Sequence, residues 1–138
     1  MTQIQLTDQQ LNRALAELMG YTIYHYDYHY DKDVAERCYF ELTAPDGYPE
    51  IVFGGERNTE LEAWADVPNY CNDPAASLEV QAKAIEVDAQ GYLYNLATVV
   101  NGYEAADIWE DDEIISMLKA SPRERAEAAY ITLSQVRE

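Results

Sequence analysis

Apolar positions follow a helical period most clearly in the segment that begins at Asp73. Asp73 is a preferred N-cap residue, and Pro74 suits the first helical position because its missing N–H has no helical partner there. Apolar residues then recur at steps of three and four on one face: Leu78, Ala82, Ile85 and Ala89. Gly91 is expected to end the helix, because glycine adopts the left-handed cap conformation without steric cost. The pattern predicts an amphipathic helix whose apolar face lies in the core.

The residues after Gly91 favour a change to β-structure. Residues 92–100 are rich in β-branched and aromatic side chains, which favours a strand. The dipeptide Asn101-Gly102 is a strong hairpin signal, so residues 103–109 are predicted to pair back as a further strand. Residues 114–119 fit a short helix and a strand equally well.

Two more helices are predicted near the ends of the chain. The first, Asp8–Met19, has a capping-box spacing between Thr7 and Gln10 and is followed by Gly20. The last begins at Pro122 inside a second capping box, formed by Ser121 and Glu124. Its apolar face holds Ala126, Ala129, Tyr130, Leu133 and Val136.

Between these helices the period changes to two. Residues 21–30 alternate so that Thr22, Tyr24, Tyr26, Tyr28 and Tyr30 share one face, and Tyr21, Ile23, His25, Asp27 and His29 the other. Residues 31–35 are expected to turn the chain, and Arg37–Thr43 to return as a second strand. A turn at residues 45–47 leads to a short third strand, 51–53, and Trp64 is expected to anchor the irregular segment that follows.

Helices alternating with short-connected strands indicate an α+β fold, because short connections join antiparallel strands. We predict a mainly antiparallel β-sheet covered by amphipathic helices, an α/β/α sandwich. At 138 residues the chain fits one domain, residues 1–138.

Charge is the most unusual property of the composition. The chain carries 26 acidic and 9 basic residues, a net charge of −17, and residues 85–117 contain no Lys or Arg. Such a surface repels nucleic acid and anionic membranes and favours a basic partner. With no apolar run long enough to span a membrane and no signal-peptide pattern, we expect a cytoplasmic protein with reduced, partly buried cysteines.

Three segments resemble the phage ABA sandwich domain family of small phage and prophage proteins. They are LNRALAELMGYTIY, VPNYCNDPAASLEVQAKA and SPRERAEAAYITL, and the similarity runs from about Leu11 to Leu133. The resemblance implies helices on both faces of a β-sheet, a phage origin and a location in the host cytoplasm. It implies no catalytic motif. Tyr21 stands where relatives often have tryptophan, and the acidic residues 103–113 are not typical of the family.

A metal site is the weaker of two candidate sites. His25, Asp27 and His29 project from one strand face at a spacing of about 6–7 Å, and Cys38 on the neighbouring strand is a further candidate ligand. The same spacing describes any solvated strand face, and we expect that face to lie opposite a buried row of tyrosines. If the tyrosines are instead exposed, they form a stripe suited to an interface.

No signature of catalysis accompanies these residues. Gly54-Gly55 lacks the further glycines and the lysine of a phosphate-binding loop. No Ser–His or Cys–His arrangement lies within sequence reach, so we expect no enzyme activity and no cofactor.

The second candidate is an acidic surface. It consists of Glu104, Asp107, Glu110, Asp111, Asp112 and Glu113, and a second segment extends it: Asp27, Asp31, Asp33 and Glu36. Its ordinary role is a solvated surface. Its functional role is mimicry of nucleic-acid phosphates, since carboxylates two residues apart on a strand lie ~7 Å apart. Phages use such proteins against host nucleases, which predicts an anti-defence inhibitor that blocks a basic, nucleic-acid-binding host protein.

Two alternatives remain open. An oligomeric protein that sequesters a small nucleotide immune signal needs converging arginines, and Arg123, Arg125 and Arg137 form the only cluster. Arg123 and Arg125 lie about 200° apart on a helix, so a second subunit of a homo-oligomer would have to complete the pocket. The other alternative is a phage accessory or structural protein.

Overall fold

The structure is a computed structural model that describes residues 5–28, 37–46, 56–104 and 108–136. The chain divides into two compact units. The larger joins Met1–Leu18 to Pro68–Glu138, and the smaller is Met19–Val67. The helices and strands follow in the order α1 (Asp8–Met19), β1 (Thr22–Tyr28), β2 (Arg37–Thr43), α2 (Glu60–Trp64), α3 (Pro74–Asn101), α4 (Asp111–Leu118) and α5 (Pro122–Val136).

The smaller unit contains the predicted β-hairpin. Strands β1 and β2 pair antiparallel, with His25 opposite Phe40 and Asp27 opposite Cys38. A bridge between Phe40 and Arg57 continues the pairing, and Trp64 of α2 is buried as predicted. The predicted third strand, 51–53, and the turn at residues 31–35 lie outside the described residues.

Helix α1 has the predicted bounds, and its capping box is confirmed. The Gln10 N–H donates to Thr7 Oγ1 at 3.1 Å, and the Thr7 N–H donates to Gln10 Oε1 at 2.9 Å. Gly20 follows the helix at a φ of 101°, a conformation that glycine adopts without strain. Asn12 ties α1 to residues 69–71 of the larger unit, because its side chain bonds Asn69 and the Cys71 N–H.

Helix α3 begins as predicted but does not end at Gly91. Asp73 caps it by accepting the Ala75 N–H at 3.1 Å. Asp88 leaves the helical conformation, at φ −157° and ψ 85°, and its carboxylate accepts the Gly91 N–H at 3.1 Å. This is the geometry of an internal N-cap, which starts a second helical segment instead of a strand.

The predicted strand at residues 92–100 is therefore wrong. These residues continue α3, with Tyr92, Asn95 and Leu96 buried at helical spacing. Asn95 donates a buried hydrogen bond of 2.9 Å to Thr132 of α5. Packing of α3 on α5 therefore overrides the β-propensity of this segment.

The orientation of α3 also differs from the prediction. Leu78 and Ile85 are 48% and 43% exposed, and Ala82 and Ala89 are exposed as well. The buried face is instead the small-residue face: Ala76, Ser77, Val80 and Ala84. Helix α5 presents buried alanines at positions 126, 128 and 129, and small residues on both helices allow close packing. Leu78 and Ile85 are left on the opposite side of the helix.

The structure differs from the predictions for the segment between α3 and α5. Residues 111–118 form α4, which resolves the choice between helix and strand. Gly102 caps α3 in the left-handed conformation, with its N–H bonded to Thr98 O at 2.9 Å, instead of turning a hairpin. The predicted strand 103–109 is wrong, because none of its described residues is in a strand.

Helix α5 begins with its predicted capping box. The Glu124 N–H donates to Ser121 Oγ at 3.1 Å, and the Ser121 N–H donates to Glu124 Oε1 at 2.8 Å. The described residues thus confirm a mixed α+β class with a small antiparallel sheet of two strands and five helices. A sandwich with helices on both faces of the sheet is not shown by these elements. Within the described ranges, no helix is both long and apolar enough to cross a membrane.

Candidate functional site

The acidic turn, defined as Glu110, Asp111, Asp112 and Glu113, lies at the start of α4 in the larger unit. Glu113 is held from two directions. The Glu110 N–H donates to its Oε1 at 3.0 Å, and the Tyr103 hydroxyl donates to its Oε2 at 2.7 Å. These two bonds lower the pKa of Glu113, and the bond to the carboxylate raises the pKa of Tyr103.

The other carboxylates of this region differ in their surroundings. Asp111 and Asp112 are exposed, and Asp112 Oδ1 accepts the Glu113 N–H at 3.0 Å. The helix N-terminus stabilises negative charge at these positions. Glu104 is bound by the Tyr94 hydroxyl of α3 at 2.9 Å. Two tyrosine hydroxyls therefore fix two carboxylates, while two aspartates face solvent.

Part of the predicted acidic surface belongs to segments outside the described residues. Asp107, Asp31, Asp33 and Glu36 lie outside the described residues, and so do His29 and Arg137. Asp27 belongs to β1, but its side chain is outside the described part of the chain. The extension of the acidic surface towards the hairpin therefore stays a prediction.

Of the candidate metal ligands, only His25 has a side chain within the described part of the chain, and it is exposed, as expected for a solvated strand face. The His25 ring stacks on Phe40 with centroids 4.7 Å apart and an angle of 6° between the rings. Among the described residues, no group of three or more His, Cys, Asp or Glu side chains could hold a metal ion. On the other face Tyr24 is 54% exposed, so the tyrosine row is not buried at that position.

Two of the three arginines proposed for a nucleotide pocket, Arg123 and Arg125, have structural roles. Arg123 donates to Asp8 Oδ1 at 2.8 Å, to Leu6 O at 2.7 Å and to Glu127 Oε1 at 2.7 Å, which ties α5 to the start of α1 and to Leu6 before it. Arg125 donates to Ser77 Oγ in the first turn of α3 at 3.0 Å. The structure does not bring the two guanidinium groups to a common partner.

Cys71 lies beside Arg123 but is not a reactive thiol. Burial raises its pKa to about 11, although the nearby Arg123 acts in the opposite direction. The thiol is free and buried, as expected from the sequence, and it donates weakly to Asp8 O at 3.7 Å. At neutral pH it is protonated, so it does not supply a nucleophile.

The sequence did not predict an apolar groove between α3 and α4. This groove has a volume of about 410 Å³, and both helices contribute large apolar side chains to it: Leu78, Ile85, Leu93, Trp109, Ile114 and Leu118. Leu118 is 78% exposed. The sequence signal for the groove is the apolar stripe of α3, which the helical period predicts to lie in the core. A stripe of this kind can equally serve a binding partner.

Polar groups at the groove are few. Tyr92 lies in its lining and donates to Gln81 at 2.8 Å, while burial raises the pKa of its hydroxyl well above the ordinary value. Trp109 Nε1 is buried and has no hydrogen-bond partner among the described residues. Arg125 also lines the groove. The arrangement suits binding of an apolar segment with few polar contacts.

Comparisons with protein-family models, with curated proteins and with solved structures give no match to this chain. The resemblance to the phage ABA sandwich domain family consequently stays a prediction. The functional argument depends on the acidic turn and the groove themselves.

Proposed function

We propose that this protein is a phage-derived, non-enzymatic binding protein that blocks a basic, nucleic-acid-binding host protein. The acidic turn at the start of α4 carries the proposal. It presents exposed aspartates in a stretch, residues 85–117, that has no basic residue. A groove that binds phosphates through Lys and Arg accepts such carboxylates electrostatically.

Hydrogen bonds that hold two of the carboxylates in place support the proposed binding role. The Tyr103 bond to Glu113 and the Tyr94 bond to Glu104 hold two acidic side chains before any partner arrives. Holding them in advance reduces the conformational entropy that is lost on binding. The net charge of −17 would also accelerate the approach of a basic partner at low salt.

The proposal places the protein in the host cytoplasm, where its partner would act, and keeps the α/β/α sandwich as its expected fold. Sequestration of a nucleotide is less well supported. Arg123 already bonds four protein groups, and breaking those bonds to bind a phosphate would cost stability.

A competition experiment tests the proposal. The immobilised protein is incubated with a bacterial extract, and retained basic proteins are eluted with duplex DNA or with polyglutamate of equal total charge. A phosphate mimic occupies the DNA-binding groove of its partner, so duplex DNA should release the partner at a much lower concentration than polyglutamate. Equal release by both polymers would mean unspecific charge attraction and would contradict mimicry.

Charge variants identify the surface that retains the basic partner. The pair Asp111→Asn and Asp112→Asn should weaken retention. The control pair Glu56→Gln and Glu60→Gln removes two exposed carboxylates from the smaller unit and should not. Equal effects of both pairs would assign retention to net charge instead of the acidic turn.

A further inference from the structure

The exposed apolar stripe of α3 needs an explanation. Leu78 and Ile85 face away from the α3–α5 contact, and Ile114 and Leu118 of α4 complete a groove with them. Soluble monomers rarely expose contiguous apolar surface of this kind unless it binds something. The described residues leave these side chains partly or largely exposed, so a molecule from outside them would gain by covering the groove.

Charge decides which occupant fits. On α4, Asp111 lies three residues before Ile114 and seven residues before Leu118. The three side chains therefore share one face of the helix, with Asp111 at its N-terminal, acidic end. On α3, the exposed Glu79 and Glu86 flank the row of Leu78 and Ile85. A second copy of the chain would bring another −17 charges against this rim, whereas a basic segment would neutralise it.

The two ends of the groove carry opposite charges. Arg125 bonds Ser77 in the first turn of α3 and marks one end. The bond from Tyr103, just after α3, to Glu113 places the acidic turn near the C-terminal end of α3, and Tyr94 holds Glu104 at the same end. A helix has a positive N-terminus and a negative C-terminus, so its dipole matches this groove in one direction only.

We propose that the groove binds an amphipathic helix of the basic partner, with its apolar face on Leu78, Ile85, Ile114 and Leu118. The basic N-terminal half of that helix lies at the acidic turn, and its C-terminus lies at Arg125. This inference rests on the proposed function and adds the chemistry of the partner segment.

Synthetic peptides test the inference directly. A labelled peptide of about 18 residues, about 27 Å long as a helix, carries Leu at positions i, i+3, i+4 and i+7 and Lys in its N-terminal half. A second peptide has the same composition with Lys in the C-terminal half, and a third has Glu in place of Lys. By fluorescence anisotropy, the first should bind about tenfold more tightly than the second, and the third should not bind. Equal affinity for all three would overturn the inference.

Groove variants separate specific docking from charge attraction. Replacing Leu78 and Leu118 by Ser should weaken binding of the first peptide by about tenfold or more, since both side chains bury apolar area only in the complex. Because Leu78 and Leu118 are already exposed in the unbound protein, the two substitutions should hardly change its melting temperature. Leu61→Ser, in the smaller unit and 73% exposed, is the matched control and should leave peptide affinity unchanged. Unchanged affinity in the Leu78 and Leu118 variant would overturn the groove assignment.

Two further outcomes are distinguishable. If sedimentation shows a dimer that Leu118→Ser dissociates, the groove binds a second copy, and the helix proposal is wrong. If groove variants still retain a partner that DNA displaces, while the Asp111 and Asp112 variant does not, the proposed function stands and only the groove inference fails. Loss of retention in both variant sets supports one continuous binding surface.

Discussion

The carboxylate of Asp88 occupies the space that a side chain at position 91 would need. A Cβ built on Gly91 collides with the Asp88 carboxylate, whose Oδ1 accepts the Gly91 N–H at 3.1 Å. Glycine at position 91 therefore leaves room for the Asp88 carboxylate and does not act as a helix stop. The pair produces the bend in α3 and lets its second segment continue to Asn101.

A double-mutant cycle tests this relationship. In the wild type, Gly91→Ala should displace the Asp88 carboxylate. The stability lost with this N-cap should then offset the stability that alanine adds through its higher helix propensity. In an Asp88→Ala background the same change should stabilise the protein by about 0.5–1 kcal/mol. Urea denaturation should thus give a coupling energy of about 1 kcal/mol. Additive effects would show that the two residues do not compete for this space.

The buried bond between Asn95 and Thr132 should be important for stability. Thr132→Val keeps the side-chain volume but leaves the buried Asn95 amide without its acceptor, which we expect to cost about 1–3 kcal/mol. Urea denaturation measures this loss. Ser116→Ala on exposed α4 is a suitable control, because its hydroxyl bonds only the Asp112 carbonyl within its own helix. A loss no larger than that of the control would contradict the role of this bond in joining α3 to α5.

Glu113 should add a specific pH dependence to stability. Its pKa in the folded state lies below the ordinary value of 4.5, because the Glu110 N–H and the Tyr103 hydroxyl favour the carboxylate. The stabilisation is therefore present above pH 4.5 and is lost as pH falls through the lower folded pKa. The difference in unfolding free energy between wild type and Glu113→Gln should shrink over that interval. A difference that stays constant with pH would contradict this assignment.

Arg123 should behave as a structural residue. Arg123→Gln removes bonds to Asp8, Leu6 and Glu127, and we expect a loss of about 1–3 kcal/mol of stability without any ligand. Nucleotides should leave the melting temperature of the wild type unchanged, because nothing then binds the folded state preferentially. A rise in melting temperature with a nucleotide, abolished in Arg123→Gln, would favour the sequestering pocket.

Local signals in the sequence predicted the parts of the fold that are locally determined. The capping pairs Thr7 with Gln10 and Ser121 with Glu124 located the starts of α1 and α5, and alternation located β1 and β2. These signals act within a few residues of themselves, so they need no knowledge of the rest of the chain.

The failures have a common physical origin in long-range packing. Residues 92–100 look β-prone in isolation, yet they continue a helix that packs on α5, to which Asn95 is bonded through Thr132. The apolar stripe of Leu78 and Ile85 was assigned to the core, but the alanines of α5 favoured the opposite, small-residue face of α3. Neither the secondary structure of residues 92–100 nor the buried face of α3 can be predicted without knowing which helix packs against α3.

The candidate site was predictable to a similar degree. The acidic residues 110–113 were identified from charge alone, because their exposure follows from their composition. The bonds that hold Glu104 and Glu113 to Tyr94 and Tyr103 join residues ten positions apart across a helix boundary. Their identification required the position of α4, which the sequence left open.

The most direct test of the central claim is the salt dependence of binding to the purified partner. The affinity of wild type should fall steeply as salt rises, because the interaction depends on screened charges. The Asp111→Asn and Asp112→Asn variant should bind more weakly and show a shallower dependence of log Kd on log salt concentration. The Glu56→Gln and Glu60→Gln control should keep the wild-type affinity and slope. An unchanged affinity and slope in the Asp111 and Asp112 variant would contradict the assignment of the acidic turn as the binding surface.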